Sequence, residues 1–253
     1  MELWTDEHGR TVLPALVLML LSGIVLYRLL GKKDWKTRML PIQILACILL
    51  AVEVGKQVLS LQHGYDLYHL PFHFCSLFIF MLPIMAFYRG KHHQKVAAVT
   101  AALCMAVLLL MLIYPNLIYG AGNIQAFFTD YFSFHTVFYH NLVMLAAVLI
   151  LALKLYVPQK GDWKAVAWFM TGFCTVAASL AQILKTNFAN FYRCNIPVLE
   201  TVRQAVQNAI GAVFAQLIYV LIVALLHILF TLMAYGFCCL LATKIFKKAS
   251  QLV

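Results

Sequence analysis

Seven runs of apolar residues, at about 12–30, 39–61, 70–87, 96–114, 137–156, 166–184 and 210–241, constrain this chain more than any other feature. A helix needs about 20 such residues to cross the hydrocarbon of a bilayer. Inside hydrocarbon every backbone N–H and C=O needs a protein partner, so a spanning segment is a helix or a strand of a closed barrel. The runs show no alternation of apolar and polar residues, which excludes barrel strands. The predicted fold is all-α, a polytopic bundle of seven transmembrane helices forming a single integral membrane domain over 1–253.

Composition agrees. The chain is 64% apolar and 11% charged, where a soluble domain is about half apolar and a quarter charged. Residues 2–10 are charged and lack the basic start and small-residue cleavage site of a secretory signal, so the first run is read as a span. The formal charge of +10 is spread over short loops instead of one patch, which argues against nucleic acid as a partner. The seven cysteines show no CxxC pair or regular spacing and form neither a disulfide framework nor a zinc finger.

Loops rich in Lys and Arg stay in the cytoplasm. Of the 19 basic residues, 14 fall in alternate connections: Arg28 to Arg38, Arg89 to Lys95, Lys154 to Lys164, and Lys244 to Lys248. The other five are Arg10, Lys56, Lys185, Arg193 and Arg203, and the stretch 115–136 has no Lys or Arg. The amino end is therefore expected outside and the carboxyl end in the cytoplasm.

With that orientation the unusual polar residues gather near the outer ends of five spans. Span two carries Glu53, Lys56 and Gln57; span three opens with His69, His73, Cys75 and Ser76; span five opens with His135, His140 and Asn141; span six closes with Lys185 and Asn187; Arg193 and Arg203 precede span seven. Ionisable groups in a bilayer are costly and usually line a cavity or pair with each other. Glu53 and Lys56, three apart, are placed to pair; they either fix helix packing or charge the pocket. His8, His63, His92, His93 and His227 are read as interfacial. His73 and His140 lie about one turn inside their spans at a common depth, with Cys75 as a candidate nucleophile beside them. Two residues apart is about 200° around a helix, so Cys75 should not face His73, and His140 is the better base. His69 and His73, four apart, are spaced as two metal ligands on one face, although Pro71 suggests that the helix begins there and leaves His69 outside.

The motif Leu70-Pro71-Phe72-His73-Phe74-Cys75-Ser76-Leu77, continuing to Met81-Leu82-Pro83, resembles the signature of the YwaF-like integral membrane family. Tyr114-Pro115-Asn116-Leu117-Ile118-Tyr119-Gly120, the segment 132–141 with the His that opens span five, and Lys185-Thr186-Asn187-Phe188 are similar to further elements of that family, in order, so that the resemblance covers roughly 70–197. The stretch 188–197 departs from the pattern, with extra residues before its basic position. The family includes a vertebrate acyltransferase that moves fatty acyl chains onto ether lysophospholipids through a cysteine. The resemblance implies that Cys75 matches the nucleophile with His140 as its base, and that the partners are membrane phospholipids or lysophospholipids. No cofactor and no metal is implied. Its many bacterial members suggest a bacterial plasma membrane.

The leading expectation is a phospholipid acyltransferase, with Asn187, Asn141 or Ser76 donating to the oxyanion and Arg193 or Lys185 holding a lipid phosphate. Two rivals stand beside it. One is a metal-dependent lipid hydrolase using His69, His73 and His140. The other is a transporter or sensor that binds a small anionic solute at Lys56, Lys185 and Arg193.

Overall fold

The computed structural model describes residues 4–194 and 197–250. Asn195 and Ile196, within the departure from the family pattern, lie outside the described residues. Ten α-helices occur among those described: α1 (Asp6–Leu30), α2 (Trp35–Gln62), α3 (Phe78–Phe87), α4 (His93–Ile113), α5 (Asn116–Tyr119), α6 (Ala121–Gln125), α7 (Tyr131–Ala152), α8 (Asp162–Leu184), α9 (Pro197–Ile210) and α10 (Ala212–Ser250). Six of them, α1, α2, α4, α7, α8 and α10, are long and apolar enough to cross a membrane. The chain is a multi-pass, all-helical membrane protein.

α4 and α7 form the centre. Their spans are 67% and 61% buried, against 17% for α1 and for α10. Ala97, Ala98, Ala101, Ala102 and Ala106 are all buried on α4. Hydrocarbon gives apolar side chains no reason to leave it, so membrane helices associate by close packing, and small residues let backbones approach. α10 packs on α4 and α8, α2 on α3 and α7, and α1 on α7. The outward faces carry exposed Leu18, Leu29, Ile44, Trp168, Leu221 and Leu229, as expected of surfaces solvated by lipid tails.

Polar contacts fix the direction of each pass. At one end, Arg89 lies over the Trp35 ring, 4.7 Å from its centroid, Gln43 Nε2 donates to Ala86 O at 3.1 Å, and Arg38 Nη1 donates to Leu153 O at 2.9 Å. The start of α2 thus meets the ends of α3 and α7, close to the basic loops. At the other end, Trp4 Nε1 donates to Leu112 O at 3.0 Å, and Gln182 Nε2 donates to Phe191 O at 2.9 Å. The start of α1 meets the end of α4 there. Successive passes run in opposite directions between a basic end and a second, polar but lysine-poor end.

Two expectations need correction. A helix was expected over 70–87, but a helical turn begins only at Cys75 and α3 proper only at Phe78. The residue before a proline is held out of the helical region, and Leu70 is extended with ψ 144°. The Phe72 N–H then closes on Leu70 O at 2.8 Å instead of starting a helix. The apolar helical segment Cys75–Phe87 is consequently short. The amphipathic α9 was also missed. Its apolar residues Val202, Val206 and Ile210 recur every four positions, which puts them on one face.

Candidate active site

A cavity of about 440 Å³ opens near the polar end. Its polar lining is Tyr68, His73, Cys75, His140, Asn187, Asn190 and His227, and Val107, Leu110, Leu117 and Phe230 supply apolar wall. The thiol and the imidazole expected to cooperate therefore share one space, Cys75 from the start of the helical turn and His140 from the third turn of α7.

Each cavity histidine is held by a backbone carbonyl. His140 Nδ1 lies 2.6 Å from Thr136 O, His227 Nδ1 lies 2.8 Å from Val223 O, and His73 Nε2 lies 2.9 Å from Tyr68 O. A carbonyl only accepts, so the bonded nitrogen carries the proton, and in the neutral ring the other nitrogen keeps its lone pair. In His140 and His227 that leaves Nε2 as a proton acceptor. In a neutral His73 the nitrogen left free is Nδ1.

The helical-spacing argument that separated Cys75 from His73 fails, because His73 precedes the helical turn and both residues line the cavity. His69 does not line it. Its Nδ1 lies 2.6 Å from Ser60 Oγ and its ring stacks on Phe132. Among the described residues no three His, Cys, Asp or Glu side chains are grouped to hold a metal ion. His227, read from sequence as interfacial, belongs to the cavity. The available signal was its depth in α10, where an ionisable residue is a site candidate by default.

Glu53, Lys56 and His135 form a buried cluster beside the cavity instead of lining it. Glu53 accepts from Lys56 Nζ at 2.6 Å, from His135 Nε2 at 2.9 Å, and from Gln57 Nε2 at 2.7 Å. Gln57 also donates to His69 O at 2.9 Å and accepts from Tyr65 O–H at 2.7 Å. His135 stacks on Tyr139, whose hydroxyl donates to Cys75 O at 3.0 Å. The cluster thus ties α2 and α7 to both ends of the loop that delivers Cys75.

The remaining candidates divide. Asn187 lines the cavity, and its Oδ1 accepts from Tyr192 N at 3.2 Å and Arg193 N at 3.0 Å. Asn141 accepts from Tyr119 O–H at 2.7 Å and donates to Val137 O at 2.7 Å, locking α5 to α7. Ser76 is buried outside the cavity lining. Lys185, in the left-handed conformation that ends α8, and Arg193 are exposed. The three cations of the anion-binding rival therefore do not converge on this cavity, since Lys56 belongs to the Glu53 cluster.

The sequence profile of the TMEM164 family matches residues 3–237, nearly the whole chain. The chain belongs to the TMEM164 family. No curated protein and no solved structure matches it. In this TMEM164-family chain, the matched region contains every residue of the cavity and of the Glu53 cluster.

Proposed function

We propose that the protein transfers fatty acyl chains between membrane phospholipids and lysophospholipids through a thioester on Cys75. The single observation that carries this reading is the joint presence of Cys75 and His140, with its Nε2 lone pair, in one cavity of a lipid-embedded bundle. Membership in the TMEM164 family and the resemblance of the Cys75 motif to a cysteine-dependent ether-lipid acyltransferase support the same chemistry.

In the first half-reaction the Cys75 thiol gives its proton to His140 Nε2 and the sulfur attacks the ester carbonyl of a phospholipid. The ester C–O bond breaks, and the departing oxygen takes the proton from the imidazolium to leave a lysophospholipid. In the second, a lysolipid hydroxyl gives its proton to His140 Nε2 and its oxygen attacks the thioester. The C–S bond breaks and the thiolate recovers the proton. Asn187 is the oxyanion donor best placed, as it shares the cavity. No cofactor enters the scheme. The seven passes carry the amino end outside, so the cavity serves the outer leaflet, consistent with a plasma membrane of the bacterial type.

Purified protein incubated with isotopically labelled phospholipid and lysophospholipid should yield exchanged acyl chains by lipid mass spectrometry, with one acyl adduct on Cys75. Cys75→Ala should abolish both. His140→Gln should slow transfer by about 10²- to 10⁴-fold, the usual contribution of a general base. Transfer unchanged in either variant sinks the reading.

A further inference from the structure

A second cavity, of about 350 Å³, lies between α9 and α10. Val202 and Val206 from α9 face Ala215, Ile218, Ile222 and Val223 from α10 across it, at helical spacings that keep each set on one face. Its polar side is a clamp. Arg203 donates to both oxygens of Glu200, and through Nη1 to Gln216 Oε1 at 3.1 Å. The charge-assisted bonds from Arg203 hold Glu200 down to about pKa 2, so the clamp stays ionised. Tyr219 O–H donates to Asn190 O at 2.6 Å. These contacts fix α9 against α10 along one edge, and the apolar faces beyond it do not close on each other.

The second cavity adjoins the site already described. Asn190, Leu226 and His227 line both. An apolar space within a membrane forfeits dispersion contacts unless hydrocarbon fills it. Its inner end lies where His227 and Leu226 border the Cys75 cavity. We infer that the space between α9 and α10 is the acyl-chain arm of the site, holding the tail of the reacting lipid so that its carboxyl end passes His227 toward Cys75. This rests on the acyl-transfer reading.

The test uses a phosphatidylcholine with a photoactivatable diazirine on its acyl chain, crosslinked to the purified full chain and to its Cys75→Ala variant, with adducts mapped by mass spectrometry. Ile222 is 53% exposed and lines the arm, so Ile222→Trp fills it without overpacking the core. Leu221, 67% exposed and outside the arm, gives Leu221→Trp as the matched control. Crosslinks should concentrate at 202–206 and 215–226, be lost in Ile222→Trp and persist in Leu221→Trp. Ile222→Trp should also lose transfer from long-chain donors while keeping it from short-chain ones. Crosslinks spread evenly over the lipid-facing surface, or unchanged in Ile222→Trp, overturn the inference. If the arm labels as expected but wild-type protein transfers no acyl chain, the acyl-transfer reading alone falls. If long-chain transfer is Cys75-dependent yet indifferent to Ile222→Trp, the arm alone falls.

Discussion

Glu53 is the residue on which the site's rigidity turns. It is 5% exposed, pairs with Lys56 and accepts from His135 at once, while the loop carrying Cys75 hangs on the same cluster. Removing one partner of a buried ion pair strands the other without water and costs about 3–5 kcal/mol, whereas removing both together costs far less. Glu53→Gln or Lys56→Met alone should therefore lower the thermal unfolding midpoint of the purified protein markedly, and the double variant should recover most of the loss. Equal and additive losses would show that the pair contributes nothing jointly. The pair was visible in the sequence as a spacing of three on one helix. His135 as its third member was not, because contacts across 82 positions leave no trace in local periodicity.

At the scale of the element, spans one, two, four, five, six and seven were legible because their apolar runs exceed bilayer thickness, a signal that depends on no tertiary contact. Span three was misread at its start. Its apolar composition continues through Leu70, Phe72 and Phe74, but the proline and the cluster around Glu53 hold those residues as a loop. Non-helical backbone at membrane depth is tolerated where it lines a cavity, and His73 and Phe74 line one. α9 was lost for a different reason: its seam with α10 lies at Gly211, where φ is +86°. That left-handed residue ends α9 in the way glycine commonly ends helices, and the apolar run 210–241 hid the break. Gly211→Ala forces a side chain into this conformation at about 1–2 kcal/mol. The expected result is faster proteolysis within 197–211 with the thermal midpoint of the bundle little changed, because α9 touches the rest of the fold mainly through α10. Cleavage as slow as in the native chain would mean that the junction tolerates the strain.

Over the whole molecule, the contacts join the start of α2 to the ends of α3 and α7 and the start of α1 to the end of α4, and the proposed orientation rests on charge. The basic loops share one end and the Cys75 cavity opens near the other. The positive-inside rule predicts a cavity that faces away from the cytoplasm. Two exposed positions report this directly: Phe128, 94% exposed before α7 at the cavity end, and Lys160, exposed just before α8 at the basic end. In intact cells a membrane-impermeant maleimide should modify Phe128→Cys and spare Lys160→Cys, which should react only after the membrane is opened, with the native chain as background. The reversed pattern would point the cavity at the cytoplasmic leaflet and leave the thiol–imidazole chemistry intact. Substrate supply would change, since the outer leaflet and its lysolipids would then be out of reach of Cys75. Labelling of both positions in intact cells would contradict the alternation of passes itself, on which the joining of Cys75 and His140 in one cavity depends.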